Sequence, residues 1–228
     1  LSAYRTGAIP GVGARHLARK DSKVVGILGP GVMARTSLSA FMAVCPQIDT
    51  VKVKGRGQKN LNAFLAWLAE TFPQITTVQV VETDEAVVRD SDIVTFCGSG
   101  AVGDPSTYPT VKRAWVRPGT FLAMPALGNI DQDMESPEIR KVLDHIGLYD
   151  AWYEENPKPV HTSVPVVGIR FMDLIAEGRM SRDQLEDLGQ IVAGEAPGRR
   201  NDPRPSRAPR PSVSWPASAQ WSLRSTGP

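Results

Sequence analysis

The chain has 228 residues, enough to bury a sizeable core, and its 41% hydrophobic and 22% charged content is that of a globular protein. No apolar run approaches the ~18 residues of a membrane span, and the first residues, Leu1-Ser2-Ala3-Tyr4-Arg5, lack the basic and apolar pattern of a signal peptide. The net charge of +2 comes from residues 203–228, which hold four Arg and no acid; the remainder has 22 basic against 24 acidic residues, which argues against a nucleic-acid partner.

A first helix is predicted over 6–19, with Ala8, Val12, Leu17 and Ala18 on one face and Gly7, Gly11 and Gly13 weakening its start. A strand over 23–28 follows, then a helix carrying Met33, Leu38, Phe41, Met42 and Cys45 at helical spacing until Pro46 stops it. Further strands are predicted over 50–54, 78–81, 93–97 and 119–124, separated by helices over 58–71 and from Thr83 or Asp84. Strands alternating with helices define an α/β class with a doubly wound parallel sheet. One more strand is predicted around 148–152, then helices over 166–177 and 181–193, the second capped by Ser181. Residues 203–228 hold six Pro and six Ser without periodicity, and read as a disordered tail.

The strongest motif is Val24-Val25-Gly26-Ile27-Leu28-Gly29-Pro30-Gly31-Val32-Met33-Ala34, an apolar strand running through Gly-x-Gly-x-x-Ala into a helix. Such a turn begins a dinucleotide site. Gly29 permits the tight turn, Gly31 lets the backbone approach a pyrophosphate, and Ala34 lets helix pack on strand; the helix start at Val32 and Met33 offers free N–H groups. An acid roughly 20 residues further on marks NAD, whereas an arginine accommodates the extra phosphate of NADP. Here Lys54-Gly55-Arg56-Gly57-Gln58-Lys59 contains no acid, so Arg56 and Lys59 favour NADP(H) over NAD(H), the alternative being a solvated basic loop. Cys97-Gly98-Ser99 closes a strand at the end where such sheets bind ligands.

Cys45 and Cys97 have no metal-ligand spacing and fit core positions in a reducing, cytoplasmic compartment. His16, His145 and His161 are similarly isolated, Glu154-Glu155 reads as a solvated pair, and no metal site is expected.

Four stretches together carry a resemblance: Arg5-Thr6-Gly7-Ala8, the glycine turn, Val116-Arg117-Pro118-Gly119-Thr120, and Gly194-Glu195-Ala196-Pro197-Gly198-Arg199. Over about residues 1–202 the chain resembles the ornithine cyclodeaminase/mu-crystallin family. The resemblance implies a Rossmann domain over 21–202 with C-terminal helices, preceded by a connecting helix over 1–20. Most of the family's N-terminal substrate and dimerisation domain is then missing, and the tail over 203–228 replaces the family's ending, as a truncated or frame-shifted reading would. It implies an NAD(P)-dependent oxidoreductase or cyclodeaminase acting on the C–N bond of an amino or imino acid. In the cyclodeaminase version hydride leaves the α-carbon, the side-chain amine closes on the imine, ammonia departs and hydride returns. Members that bind NADP(H) without turnover are the alternative, and the full-length family implies a homodimer.

By the same resemblance Arg5 matches the arginine that holds the substrate carboxylate, and Thr6 a position near the cofactor phosphate. Cys97, Gly98 and Ser99 match the turn beside the nicotinamide. The family's catalytic Asp has no simple counterpart: Gly128 or Asn129 takes its place, and Asp131 either reaches the site through a shifted turn or caps the following helix together with Asp133.

Overall fold

The computed structural model describes residues 2–200. Five parallel strands, β1 (Val24–Leu28), β2 (Thr50–Lys54), β3 (Thr77–Val80), β4 (Ile93–Phe96) and β6 (Phe121–Ala123), form one sheet in the order β3-β2-β1-β4-β6. Between β4 and β6 lies β5 (Thr110–Val111), which pairs with β7 (Asn129–Ile130) as a separate parallel ladder. The order reverses at β1, with β2 on one side and β4 on the other. That switch point, at the carboxyl ends of the strands, is where α/β sheets of this kind open a crevice.

Alternation along β1 and β4 separates two cores. Val25, Ile27, Ile93 and Cys97 face one side, packed with α1 (Ser2–Leu17), α2 (Val32–Val44) and α3 (Gln58–Thr71). Leu28, Val94 and Phe96 face the other, with Val87 and Val88 of α4 (Asp84–Val88) and Met134. Both faces are therefore covered, as a parallel sheet requires. Thr83 starts α4 as anticipated, its hydroxyl accepting from the Ala86 N–H at 3.1 Å.

The first helix differs from expectation in start and in face. It begins at Ser2, and Ala8 and Val12 are exposed, while Gly7, Gly11, Ala14 and Ala18 are buried. The glycines are contact positions: a Cβ at Gly7 would lie 2.0 Å from Thr36 Oγ1, and one at Gly11 would lie 2.4 Å from the Ala40 Cβ. Close approach to α2 outweighs their poor helix propensity of about 1 kcal/mol each. Because 7 meets 36 and 11 meets 40, the helices run parallel, and the first turn of α1 stands level with the first turn of α2.

The C-terminal part corrects two further expectations. The strand anticipated around 148–152 is helix α5 (Ile146–Glu155), because Ile146, Tyr149, Trp152 and Tyr153 recur at helical spacing and pack on a third core around Ile169 and Leu174 of α6 (Val167–Ala176). The strand forms earlier, as β8 (Lys141–Leu143), and pairs with β9 (Leu185–Asp187) apart from the main sheet. The helix anticipated over 181–193 accordingly breaks into a 3₁₀ turn, β9, and α7 (Leu188–Ala193). Ser181 makes no side-chain cap; Asp187 does, accepting from the Gly189 N–H at 2.7 Å. Residues 194–200 then return to the first helix, with the Arg199 N–H donating to His16 O and its guanidinium to Leu17 O and Gly119 O.

Among the described residues no helix is long and apolar enough to cross a membrane. The tail anticipated over 203–228 lies outside the described residues.

Candidate functional site

At the end of β1 the chain turns through Gly29 at φ +99°, a conformation that favours glycine. The Gly29 N–H donates to Lys54 O at 2.9 Å, which ties the turn to the end of β2. A Cβ here would lie 2.4 Å from both N and Cα of Gly98, so the turn also touches the loop that leaves β4. Gly31, by contrast, has φ −92°, and a Cβ there would meet nothing within 4 Å. It precedes α2 without a side-chain cap, leaving Val32 61% exposed at the helix start while Ala34 is fully buried against the sheet.

Three turns converge on a cleft of about 230 Å³: residues 29–31 after β1, Arg56, Gly57 and Asn60 after β2, and residues 97–99 after β4. Of the residues singled out in the sequence, Gly29, Pro30, Gly31, Arg56, Cys97, Gly98 and Ser99 are brought together here. Asn60 was missed; it lies one turn into α3, three residues after Gly57, and that helical spacing was its only signal. Val32 and Met33 open α2 beside the cleft. Arg5 is exposed on α1, and the Thr6 hydroxyl donates to Ser2 O at 3.1 Å within the same helix. The parallel packing of α1 on α2 puts both at the same end of the sheet as the glycine turn.

The charge at the end of β2 divides. Lys54 Nζ pairs with Asp84 at 2.6 Å, and the other Asp84 oxygen accepts from the Thr110 N–H. Arg56 and Lys59 stay exposed, with no acid in the loop between them. Burial pushes the Cys97 thiol up to about 11, with Thr95 Oγ1 3.4 Å and Ser37 Oγ 3.9 Å from its sulfur. A thiol so raised is protonated at neutral pH, which fits a packing role.

The turn between β6 and β7 offers no carboxylate to the cleft. Gly128 packs on Phe96, where a Cβ would lie 2.3 Å from the ring, and the Asn129 amide donates to Pro105 O at 2.8 Å. Asp131 caps the 3₁₀ turn Gln132–Glu135, accepting from Met134 N–H at 3.1 Å, and both its oxygens accept from the Arg113 N–H. Asp133 is exposed in that turn. His145 precedes α5, and burial lowers the pKa of His161 in a 3₁₀ turn. Among the described residues no group of three or more His, Cys, Asp or Glu could hold a metal ion.

A switch-point crevice, a Gly-x-Gly turn and helices on both faces define a Rossmann-type, doubly wound α/β protein. The chain belongs to the ornithine cyclodeaminase/mu-crystallin family, whose model matches residues 1–204. A Delta(1)-pyrroline-2-carboxylate reductase of Bacillus cereus is 34% identical over 207 residues, covering 89% of this chain and 56% of that protein. The solved Thermococcus litoralis Delta(1)-pyrroline-2-carboxylate reductase, in complex with NADH and L-proline, is 27% identical with a TM-score of 0.61, covering 88% of this chain and 56% of that one. An archaeal alanine dehydrogenase dimer with bound NAD is 22% identical with the same TM-score, over 88% and 56%, and shows the shared fold. The chain spans about half the length of the curated relatives it matches.

Proposed function

We propose that this chain is the nucleotide-binding part of an NAD(P)-dependent enzyme acting on the C–N bond of an amino or imino acid, with NADP(H) favoured over NAD(H). One observation carries the reading: three turns meet in a cleft where a Cβ at Gly31 would touch nothing, so the glycine turn leaves open space beside a helix start that has no side-chain cap. That is the shape a pyrophosphate needs. The reductase relative solved with NADH and L-proline supports the cofactor and substrate classes together. When bound, the nicotinamide supplies the hydride chemistry.

In this reading Gly29, Pro30, Gly31 and the α2 start at Val32 and Met33 receive the phosphates, with Thr6 close by. Arg56 and Lys59 meet the ribose end, where a planar guanidinium suits an extra phosphate. Cys97, Gly98 and Ser99 close the cleft on the β4 side, and Arg5 holds the substrate carboxylate by a bidentate pair. Residues 1–20 connect to the substrate-binding part of a cytoplasmic homodimer, and 21–202 form the nucleotide-binding unit.

Thermal melting of the chain with NADPH and with NADH tests this. A nucleotide at 100 times its Kd stabilises by about 2.7 kcal/mol, and no shift with either nucleotide refutes the reading.

A second reading, binding without turnover, is favoured by one observation. The Asp131 carboxylate is taken up by the Arg113 and Met134 N–H groups, and no acid stands at Gly128 or Asn129. Reduction of any cyclic or acyclic α-imino acid with NADPH by this chain would refute it.

A further inference from the structure

The loop after β2 reads Gly55-Arg56-Gly57. A Cβ at Gly55 would come within 2.7 Å of the Pro30 ring, so the loop lies directly against the glycine turn. A Cβ at Gly57 would meet nothing within 4 Å, which leaves the cleft side of the loop open. From between them the Arg56 guanidinium reaches to the loop after β4: Nη1 donates to Thr107 O at 3.4 Å and Nη2 donates to Ser99 O. Since β1 lies between β2 and β4, a side chain joining those two loops crosses the mouth of the cleft above the end of β1.

The far anchor is a self-ordered loop. Thr107 Oγ1 accepts from the Ala101 N–H and donates to Asp104 O, and the Tyr108 hydroxyl accepts from the Gly103 N–H. The Asn129 amide ties the same loop down through Pro105 O. Arg56 thus grips residues 99–107 as one unit, and among the described residues its charge is met by the neutral carbonyls of Ser99 and Thr107.

We propose that Arg56 is a latch across the cleft that NADP(H) opens at little cost and NAD(H) does not; this rests on the nucleotide reading of the cleft given above. Two neutral carbonyl acceptors hold the guanidinium through hydrogen bonds in which only the donor is charged. A ribose phosphate replaces them with bidentate bonds in which donor and acceptor are both charged, and these are the stronger. NAD(H) presents hydroxyls at that position, so its entry gives up the latch with nothing stronger in exchange. Arg56 then selects in two ways, by attracting one nucleotide and by opposing the other, the combination that sharp specificity commonly needs.

The test compares the wild-type chain with Arg56→Ala and Arg56→Lys by nucleotide titration, together with amide hydrogen exchange of residues 99–108 in the free chain. In Arg56→Ala, NADH is expected to bind about fivefold more tightly, the worth of one ordinary hydrogen bond, and NADPH about tenfold more weakly. Arg56→Lys keeps the charge but can neither hold two carbonyls at once nor pair with a phosphate bidentately, so NADPH affinity falls less than in Arg56→Ala while NADH tightens as in Arg56→Ala. Exchange in residues 99–108 rises severalfold in both variants. NADH affinity that is unchanged or lowered in both variants overturns the latch even where the NADPH loss appears. Tighter NADH with undiminished NADPH binding in Arg56→Ala keeps the latch and removes the phosphate contact. Wild-type protein that binds neither nucleotide overturns both.

Discussion

Gly29 and Gly98 hold the loops after β1 and β4 in backbone contact: a Cβ on Gly29 would lie 2.4 Å from the nitrogen and from the Cα of Gly98. Gly29 also has φ +99°, so Gly29→Ala combines a steric overlap with a conformation that L-residues avoid. A destabilisation of about 1–3 kcal/mol is expected, with loss of nucleotide binding, because the two loops must separate to admit the methyl group. Chemical denaturation of the variant measures the first effect and titration the second; an unchanged midpoint would contradict the contact.

Gly31→Ala separates binding from folding. The position has φ −92° and open space around the added Cβ, so stability is expected to change by less than about 0.5 kcal/mol. The methyl group enters the space assigned to the pyrophosphate, so dinucleotide affinity is expected to fall by about tenfold or more. The pair of readouts, a wild-type melt without nucleotide and a reduced shift with it, identifies the phosphate position. A Gly31→Ala chain that binds like wild type would place the phosphates elsewhere.

The packing of α1 on α2 predicts a stability effect of its own. Gly7 faces Thr36 so closely that an added Cβ would fall 2.0 Å from its Oγ1 and 2.9 Å from its backbone carbon. Gly7→Ala is expected to cost about 1–3 kcal/mol in spite of the better helix propensity of alanine, and Ala8→Ser, on the exposed face, less than about 0.5 kcal/mol. Denaturant midpoints of the two variants check this. A stabilised Gly7→Ala would mean that propensity, not contact, governs the helix.

What the sequence made legible follows from the range of the forces involved. The Val/Ile/Leu strands and the Gly-x-Gly turn are local signals, and β2 and α3 have the predicted residues at both ends. The roles of Gly7 and Gly11 were hidden because they depend on Thr36 and Ala40, some thirty residues away. Residues 148–152 were misread because Leu148, Tyr149 and Trp152 suit a strand by composition, and only the packing of Ile146, Tyr149 and Trp152 on one core reveals the helical period. At the site, the glycines and Arg56 were readable from residue type. Asn60 was not, since nothing distinguishes an exposed asparagine on a helix until the fold brings that turn to the cleft.

Cys97 tests the enclosure of the cleft floor. Burial pushes its thiol up to about 11, and Cys45 is raised by the same cause. At pH 8 the Cys97 thiolate is scarce, so its alkylation in the native chain is expected to run at least about a hundredfold slower than in the denatured chain, and Cys45 is expected to be slowed in the same direction. Mass spectrometry after timed iodoacetamide exposure measures this residue by residue. Rapid labelling of native Cys97 would mean an exposed, activated thiol and would contradict the packing role.

The return of the chain after α7 is pinned through Glu186, and acid should release it. Arg140 donates to both Glu186 oxygens, at 2.9 and 2.6 Å, and Arg200 to one at 2.7 Å, while Arg140 also holds Pro197 O and Gly198 O. The Arg140 hydrogen bonds lower the Glu186 pKa below its ordinary 4.5. A group whose folded pKa is lowered adds stability that is present above the unfolded value and is lost as pH falls through the folded one. Wild-type protein should therefore lose stability as pH drops below about 4.5, and Glu186→Gln should lose less over the same interval while being less stable at pH 7. Breaking the pair leaves the Arg140 charge partly buried, which raises the cost at neutral pH above that of an exposed ion pair. Urea midpoints of the two proteins between pH 7 and pH 3 measure the difference, and parallel curves would show that Glu186 does not carry the acid sensitivity.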